Sequence, residues 1–198
     1  YSSAASDVYK RQVLQQCGVT DVPTTMDDFF TAASTIGKNC PGTNMVAAVP
    51  TLESLGQYGS QLMNEDQTEF TFNDEKGVEL VQHYIDMYKE KSLSADALNN
   101  QWTGEGDAFK EGNVASLSGS AYSVSDFEEN APKVYENLAI VERLIGEGGK
   151  QNVAMETLVV SNTAKNKDLA MKFARFVTNK KNQTEFCTKS HTFPSVKD

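Results

Sequence analysis

Cations are scarce in this chain. Its 198 residues hold 18 Lys and Arg against 27 Asp and Glu, a formal charge of -9. Such a chain has no basic face for phosphate backbones, so nucleic-acid binding is excluded as a main role, and an anionic membrane surface repels it. Long apolar runs are missing as well. None approaches the ~20 residues of a spanning helix, and no charged-then-apolar stretch has the form of a secretion signal. Cysteine is sparse: Cys17, Cys40 and Cys187 lack the short spacings of a zinc site, so no metal is expected and three small buried thiols are the default reading.

Catalytic patterns are equally thin. The two histidines, His83 and His191, stand far apart and each reads as a satisfied surface or core side chain. Ser118-Gly-Ser120 lacks the Gly-x-Ser-x-Gly frame of a nucleophile elbow. Gly104-Glu-Gly106 and Gly146-Glu-Gly-Gly149 lack the glycine spacing and the Lys-Ser/Thr ending of a phosphate cradle, and no cofactor is expected. Nothing singles out, among the acidic residues, the carboxylate pair of a glycosidase. Asn182-Gln-Thr184 matches a glycosylation acceptor, a three-residue pattern that arises often by accident.

What is present is an alternation of helical and short apolar segments, which indicates an α/β organisation, with 39% hydrophobic residues to fill its core. Thr25 and Asp28 suit the start of a helix whose stripe is Phe29, Phe30, Ala33 and Ile36, with Pro23 and Gly37 at its ends. Met45 to Val49 reads as a strand and Leu52 to Met63 as a helix. Asn73 suits the cap of a long helix on which Val78, Val81, Ile85 and Tyr88 share one face that must be covered. Leu138 to Val141 and Leu158 to Val160 are further strand candidates. Asn166 precedes a helix carrying Leu169, Phe173, Phe176 and Val177. The first twelve residues, poor in core-forming side chains, are similar to leaders translated from sequencing adapters on metagenomic reading frames and are set outside the fold.

Phe109 to Tyr122 is the most informative stretch. Phe109 closes a helical run, Gly112 suits the left-handed residue at a helix end, Val114 to Leu117 is fit for a covered strand, and Gly119 breaks it. The next large side chain, Tyr122, then either presents its ring to a cleft or lies half buried in an ordinary connection.

The order of segments resembles the extracellular solute-binding proteins of bacterial ABC importers, the carbohydrate-binding group typified by maltose-binding protein. Val13-Leu-Gln-Gln-Cys-Gly-Val-Thr-Asp-Val-Pro-Thr-Thr-Met-Asp-Asp-Phe29 resembles that family's "Gly, Val-Pro-x-Thr-Trp-Asp-Glu-Phe" opening, with Met26 where Trp is usual. Phe70-Thr-Phe-Asn-Asp-Glu-Lys-Gly77 is similar to its entry to a long helix. Phe109 to Gly119 resembles "Phe-x-x-Gly-x-Ala-x-Met-x-x-Gly", and Thr157 to Phe173 resembles its later strand, turn and helix.

The resemblance implies a periplasmic-binding-protein-like fold of type II, incomplete: most of one lobe plus a crossover segment of the other. Residues 1–12 are then the leader, 13–140 the second lobe, and 141–198 the hinge crossover with part of the first lobe. An export signal and any lipid-anchoring cysteine would precede the chain. An extracytoplasmic location would permit a disulfide between Cys17 and Cys40, the pair nearest in sequence. The implied function is capture of a sugar or oligosaccharide between two lobes for delivery to the transmembrane subunits of an ABC permease, with no catalysis. A glycoside hydrolase or other carbohydrate-active domain is the alternative.

A sugar site needs flat rings for CH faces and planar polar groups for hydroxyls. Trp102, in a polar glycine-bearing loop, is a cleft residue or a packing anchor. Tyr122, just after Gly119, falls near the family's stacking aromatic. Glu53 and Tyr58 correspond by position to a ligand-facing acid and a nearby aromatic, although Tyr58 also fits a core stripe and Glu53 suits a helix first turn. Glu156, beside the crossing between lobes, reaches a hydroxyl from the second wall or is a solvated strand-edge acid.

Overall fold

The computed structural model describes residues 5–99, 104–151 and 157–196, with the backbone alone for residues 5, 121 and 122. Trp102 and Glu156 lie outside the described residues. The first element is β1 (Ala5–Lys10), followed at once by α1 (Arg11–Gln16). β1 is the middle strand of a sheet ordered β2-β1-β3, where β2 is Ser116–Ser120 and β3 is Leu138–Glu142. Both ladders are antiparallel: Val8 stands opposite Leu117 on one side and Ile140 on the other. The exclusion of residues 1–12 from the fold is therefore corrected. Their few apolar side chains suffice because the strand is short and needs only two, Val8 and Tyr9, both with 0% exposure.

Alternation along β1 sends these two side chains to opposite faces of the sheet. Tyr9 enters a cluster with Leu14 of α1, Ala33 and Ile36 of α2 (Met26–Asn39), Met45, and Met87 of α4 (Glu75–Lys89). Val8 enters another with Phe109 of α5 (Glu105–Glu111), Phe127 of α6 (Ala121–Asn130) and Leu138. Helices thus cover both faces, and each buried side chain of this kind contributes roughly 1.5–3 kcal/mol relative to exposure.

Local signals explain most helix starts. Thr25 accepts the Asp28 N–H while the Asp28 carboxylate accepts the Thr25 N–H at 3.2 Å, a reciprocal cap on α2. α3 (Leu52–Tyr58) has the same arrangement between Thr51 and Ser54; it ends at Gly59, whose φ of 120° a side chain resists, and so falls short of Met63. Asp74, not Asn73, caps α4 through the Gly77 N–H at 2.8 Å. Gly37 lies inside α2, facing the Glu90 carbonyl, and does not end the helix.

The buried face of α4 is turned from expectation by one residue, about 100° around the helix. Gly77, Leu80 and Met87 are buried, whereas Val78, Val81, Ile85 and Tyr88 are 61%, 43%, 43% and 47% exposed. The helix carries two interleaved apolar stripes, and the buried one packs through Leu80 and Met87; Gly77 lies on that side, where a Cβ would collide with the Phe72 carbonyl oxygen.

Other differences are local. Met45 to Val49 forms no named strand; its backbone is held by single bridges, Asn44 with Val114 and Val46 with Leu93. β2 begins two residues later than expected and runs through Gly119, which pairs with Ser6 instead of breaking the strand. Among the described residues, 157–160 contains no strand, and Leu158 and Val159 are exposed. Cys17 and Cys40 are joined, their Cα atoms 5.5 Å apart, which leaves Cys187 as the buried free thiol in place of the default of three.

After α7 (Pro132–Tyr135) and β3, the chain turns back along α3. Gly146 N–H donates to the Gln57 carbonyl and Lys150 N–H to the Gly56 carbonyl, each at 3.0 Å. Residues 146–150 are thus hydrogen-bonded to α3. Beyond residue 156, α8 (Lys167–Val177) and α9 (Lys180–Ser190) form a pair whose Leu169, Phe173 and Phe176 stay more than half exposed.

Candidate functional site

The sheet, α2, α3, α4 and the start of α5 surround a cavity of about 160 Å³ that opens to solvent, with Leu80 and Tyr84 lining it from α4. Its floor is the sheet: Asp7 and Tyr9 from β1, Ser116 and Ser118 from β2, with Arg143 and Leu144 following β3. One wall is aromatic, from Phe29 and Phe30 of α2, whose rings meet edge to face at 5.4 Å. The other is polar, from Thr51, Glu53, Ser54 and Gln57 of α3 and its cap, and Glu105 opens α5 at the rim of the floor.

The charges are organised around Arg143. Its Nε lies 3.2 Å from Asp7 Oδ1, while Asp7 Oδ2 accepts the Leu144 N–H at 2.8 Å. The guanidinium Nε is close enough for an ion pair yet not aligned for a hydrogen bond, so the attraction is Coulombic rather than a linear fork. Burial pushes the Asp7 carboxyl above its usual range, against the opposing pull of the Leu144 N–H and Arg143. Glu105 is only 8% exposed; burial raises its carboxyl too, opposed by a hydrogen bond from the Ala47 backbone. The Tyr84 phenol is pushed up to about 12, by burial first and then by the charges of Asp7 and Glu105.

Two polar groups in the cavity are already engaged. Ser116 Oγ donates to the Met45 carbonyl at 2.8 Å, and Gln57 Nε2 donates to the Leu144 carbonyl. The Tyr9 hydroxyl is buried without a hydrogen-bond partner among the described residues, a costly state for a phenol inside a fold. Burial holds its ionisation far above the ordinary range, so it stays a neutral donor and acceptor.

Of the residues singled out from sequence, Glu53 lines the cavity, exposed in the first turn of α3. Tyr58 is 5% exposed and packs with Leu55, Leu80 and Phe30, behind the lining and not part of it. Gly119 sits within β2 against Val8. Tyr122 is the second residue of α6, just beyond the end of β2, and only its backbone is described. Sequence reasoning missed Asp7, Tyr9, Phe29, Phe30, Glu105 and Arg143 as cavity residues. Phe29 and Phe30 were visible only as a core stripe, and Glu105 only as the centre of a failed phosphate motif. Among the described residues no group of three or more His, Cys, Asp or Glu side chains is arranged to hold a metal.

The geometry has known counterparts. A putative oligosaccharide periplasmic-binding protein from Synechococcus sp. MITs9220 superposes with a TM-score of 0.87 at 25% identity, over 98% of this chain and 51% of that one. The GacH receptor of Streptomyces glaucescens, a structure described with acarbose, gives 0.74 at 23% identity over 98% and 51%. The substrate-binding protein Lmo0181 from Listeria monocytogenes, in complex with cycloalternan, gives 0.72 at 20% identity over 100% and 52%. The chain spans about half the length of these structures. A search of curated protein sequences gives no match. The fold is that of part of a type II periplasmic binding protein. A family profile described as bacterial extracellular solute-binding protein matches residues 6–184, and the chain belongs to that family.

Proposed function

We propose that this chain is part of the substrate-binding component of an ABC importer for a sugar or oligosaccharide. The observation that carries the reading is the cavity itself: edge-to-face phenylalanines beside carboxylates, hydroxyls and an amide, the two surfaces a sugar needs. In this reading, ligand settles between two lobes, closure of the second over the first expels water, and the closed form docks on the transmembrane permease subunits. The work is then extracytoplasmic and the chain is not an enzyme. No helix among the described residues is long and apolar enough to cross a membrane.

Ligand favours the closed state only by touching both walls, so a chain carrying one wall binds weakly. The test is saturation-transfer NMR with the 198-residue chain and millimolar maltooligosaccharides, a method that registers weak exchange. Saturable contact with sugar ring protons is expected, alongside little heat in isothermal titration. Absence of transfer overturns the sugar reading, and release of a shorter sugar would indicate a glycoside hydrolase instead.

A further inference from the structure

We propose that the cavity selects a sugar bearing a protonated amine, with Glu105 as the residue that recognises it; this rests on the reading of the cavity as a sugar site. Three carboxylates line the cavity, from Asp7, Glu53 and Glu105, against the single guanidinium of Arg143. Arg143 is already paired with Asp7. Glu53 and Glu105 have no ion pair among the described residues, and Glu105 accepts only the Ala47 N–H there. Glu53 is exposed and water serves it, but Glu105 is 92% withdrawn from water (8% exposed) without a cation.

Burying a carboxylate in that way is costly unless an opposite charge accompanies it. The first turn of α5 offsets part of this through its dipole, but a helix of seven residues supplies a weak one. A neutral sugar hydroxyl donates an ordinary hydrogen bond to Glu105. An ammonium donates a charge-assisted one and supplies the missing counter-charge. The Tyr9 hydroxyl, fully buried on the same floor and without a partner among the described residues, is an independent sign that a polar ligand atom reaches this depth. Anionic sugars are disfavoured, since the one lining cation is taken.

The experiment titrates the full chain, at neutral pH and by NMR, with a glucosamine disaccharide in free-amine form, its N-acetylated counterpart and maltose. The free-amine sugar is expected to bind at least ~5-fold tighter than the other two. Glu105→Gln, which keeps an acceptor for Ala47, should bring all three within about twofold, while Glu65→Gln on a distant exposed turn should leave the preference intact. Equal affinities in the unmodified chain overturn the inference and leave the sugar site standing. A preference that survives Glu105→Gln overturns it as well. If none of the sugars binds, the sugar-site reading falls and takes this inference with it. Glu105→Asp, which keeps the charge but retracts it by one methylene, serves should the Gln variant fail to fold, and a preference that it leaves unchanged counts against Glu105.

Discussion

Gly119 lies so close to Val8 across the β1 to β2 ladder that a Cβ on it would stand 2.6 Å from Val8 Cγ2. Val8 is fully buried and β-branched, so its methyl group has nowhere to swing. Gly119→Ala is expected to destabilise the chain by about 1–3 kcal/mol through overpacking. Val8→Ala costs stability alone by opening a cavity, yet should relieve the clash when combined with Gly119→Ala. Urea midpoints for the two single variants and the double one test this, and strict additivity would speak against the contact.

Deleting residues 1–10 removes the strand that pairs with both neighbours, together with Val8 and Tyr9 from two separate clusters. Loss of cooperative unfolding, followed by near-UV circular dichroism, is the expected result. A truncated chain that melts sharply would return these residues to the status of a dispensable leader.

The bond between Cys17 and Cys40 closes a loop over a separation of 23 residues, which in the chain-entropy account stabilises by about 3 kcal/mol. Denatured but unreduced protein should expose one reactive thiol, from Cys187, and reduction should raise the count to three. The Cys17→Ser/Cys40→Ser variant is expected to melt at lower temperature, and a count of three before reduction contradicts the bridge.

Glu105 links stability to pH with a definite sign. Its folded carboxyl is raised above the ordinary 4.5 by burial, so below that value both folded and unfolded chains hold the proton and no penalty arises. As pH climbs through the folded value, the buried charge forms and stability falls. Glu105→Gln removes this penalty. It should raise stability at neutral pH by on the order of 1 kcal/mol, or ~2–4 °C in Tm for a chain of this size, with the gain vanishing in acid. Thermal melts at both pH values decide it; a variant less stable at neutral pH would mean that the charge is compensated.

Elements that rest on local chemistry were legible in sequence: the Thr25 and Asp28 cap, the Asn166 cap of α8, the left-handed Gly112 and the Leu138 strand all stand in the structure. The family was legible too, because it resides in the order of such local signals. The cavity was not. Asp7 and Arg143 are brought together by the pairing of β1 with β3, and Glu105 lines the same cavity from α5 while accepting from Ala47, contacts that no spacing along the chain announces.

The choice of face on α4 is the sharpest test of how packing overrides periodicity. Both stripes recur at helical spacing, so amphipathicity alone favours neither, and the buried one is the stripe whose Leu80 and Met87 meet the neighbouring clusters. Leu80, 3% exposed and packed with Leu55 and Tyr58, should cost about 2–5 kcal/mol on truncation to Ala. Ile85 is 43% exposed, and Ile85→Gln should change stability by no more than ~0.5 kcal/mol. Chemical denaturation of the two variants in parallel measures the contrast. If Ile85→Gln proves the more damaging, the helix is turned the other way, and the cavity lining that depends on Leu80 and Tyr84 turns with it.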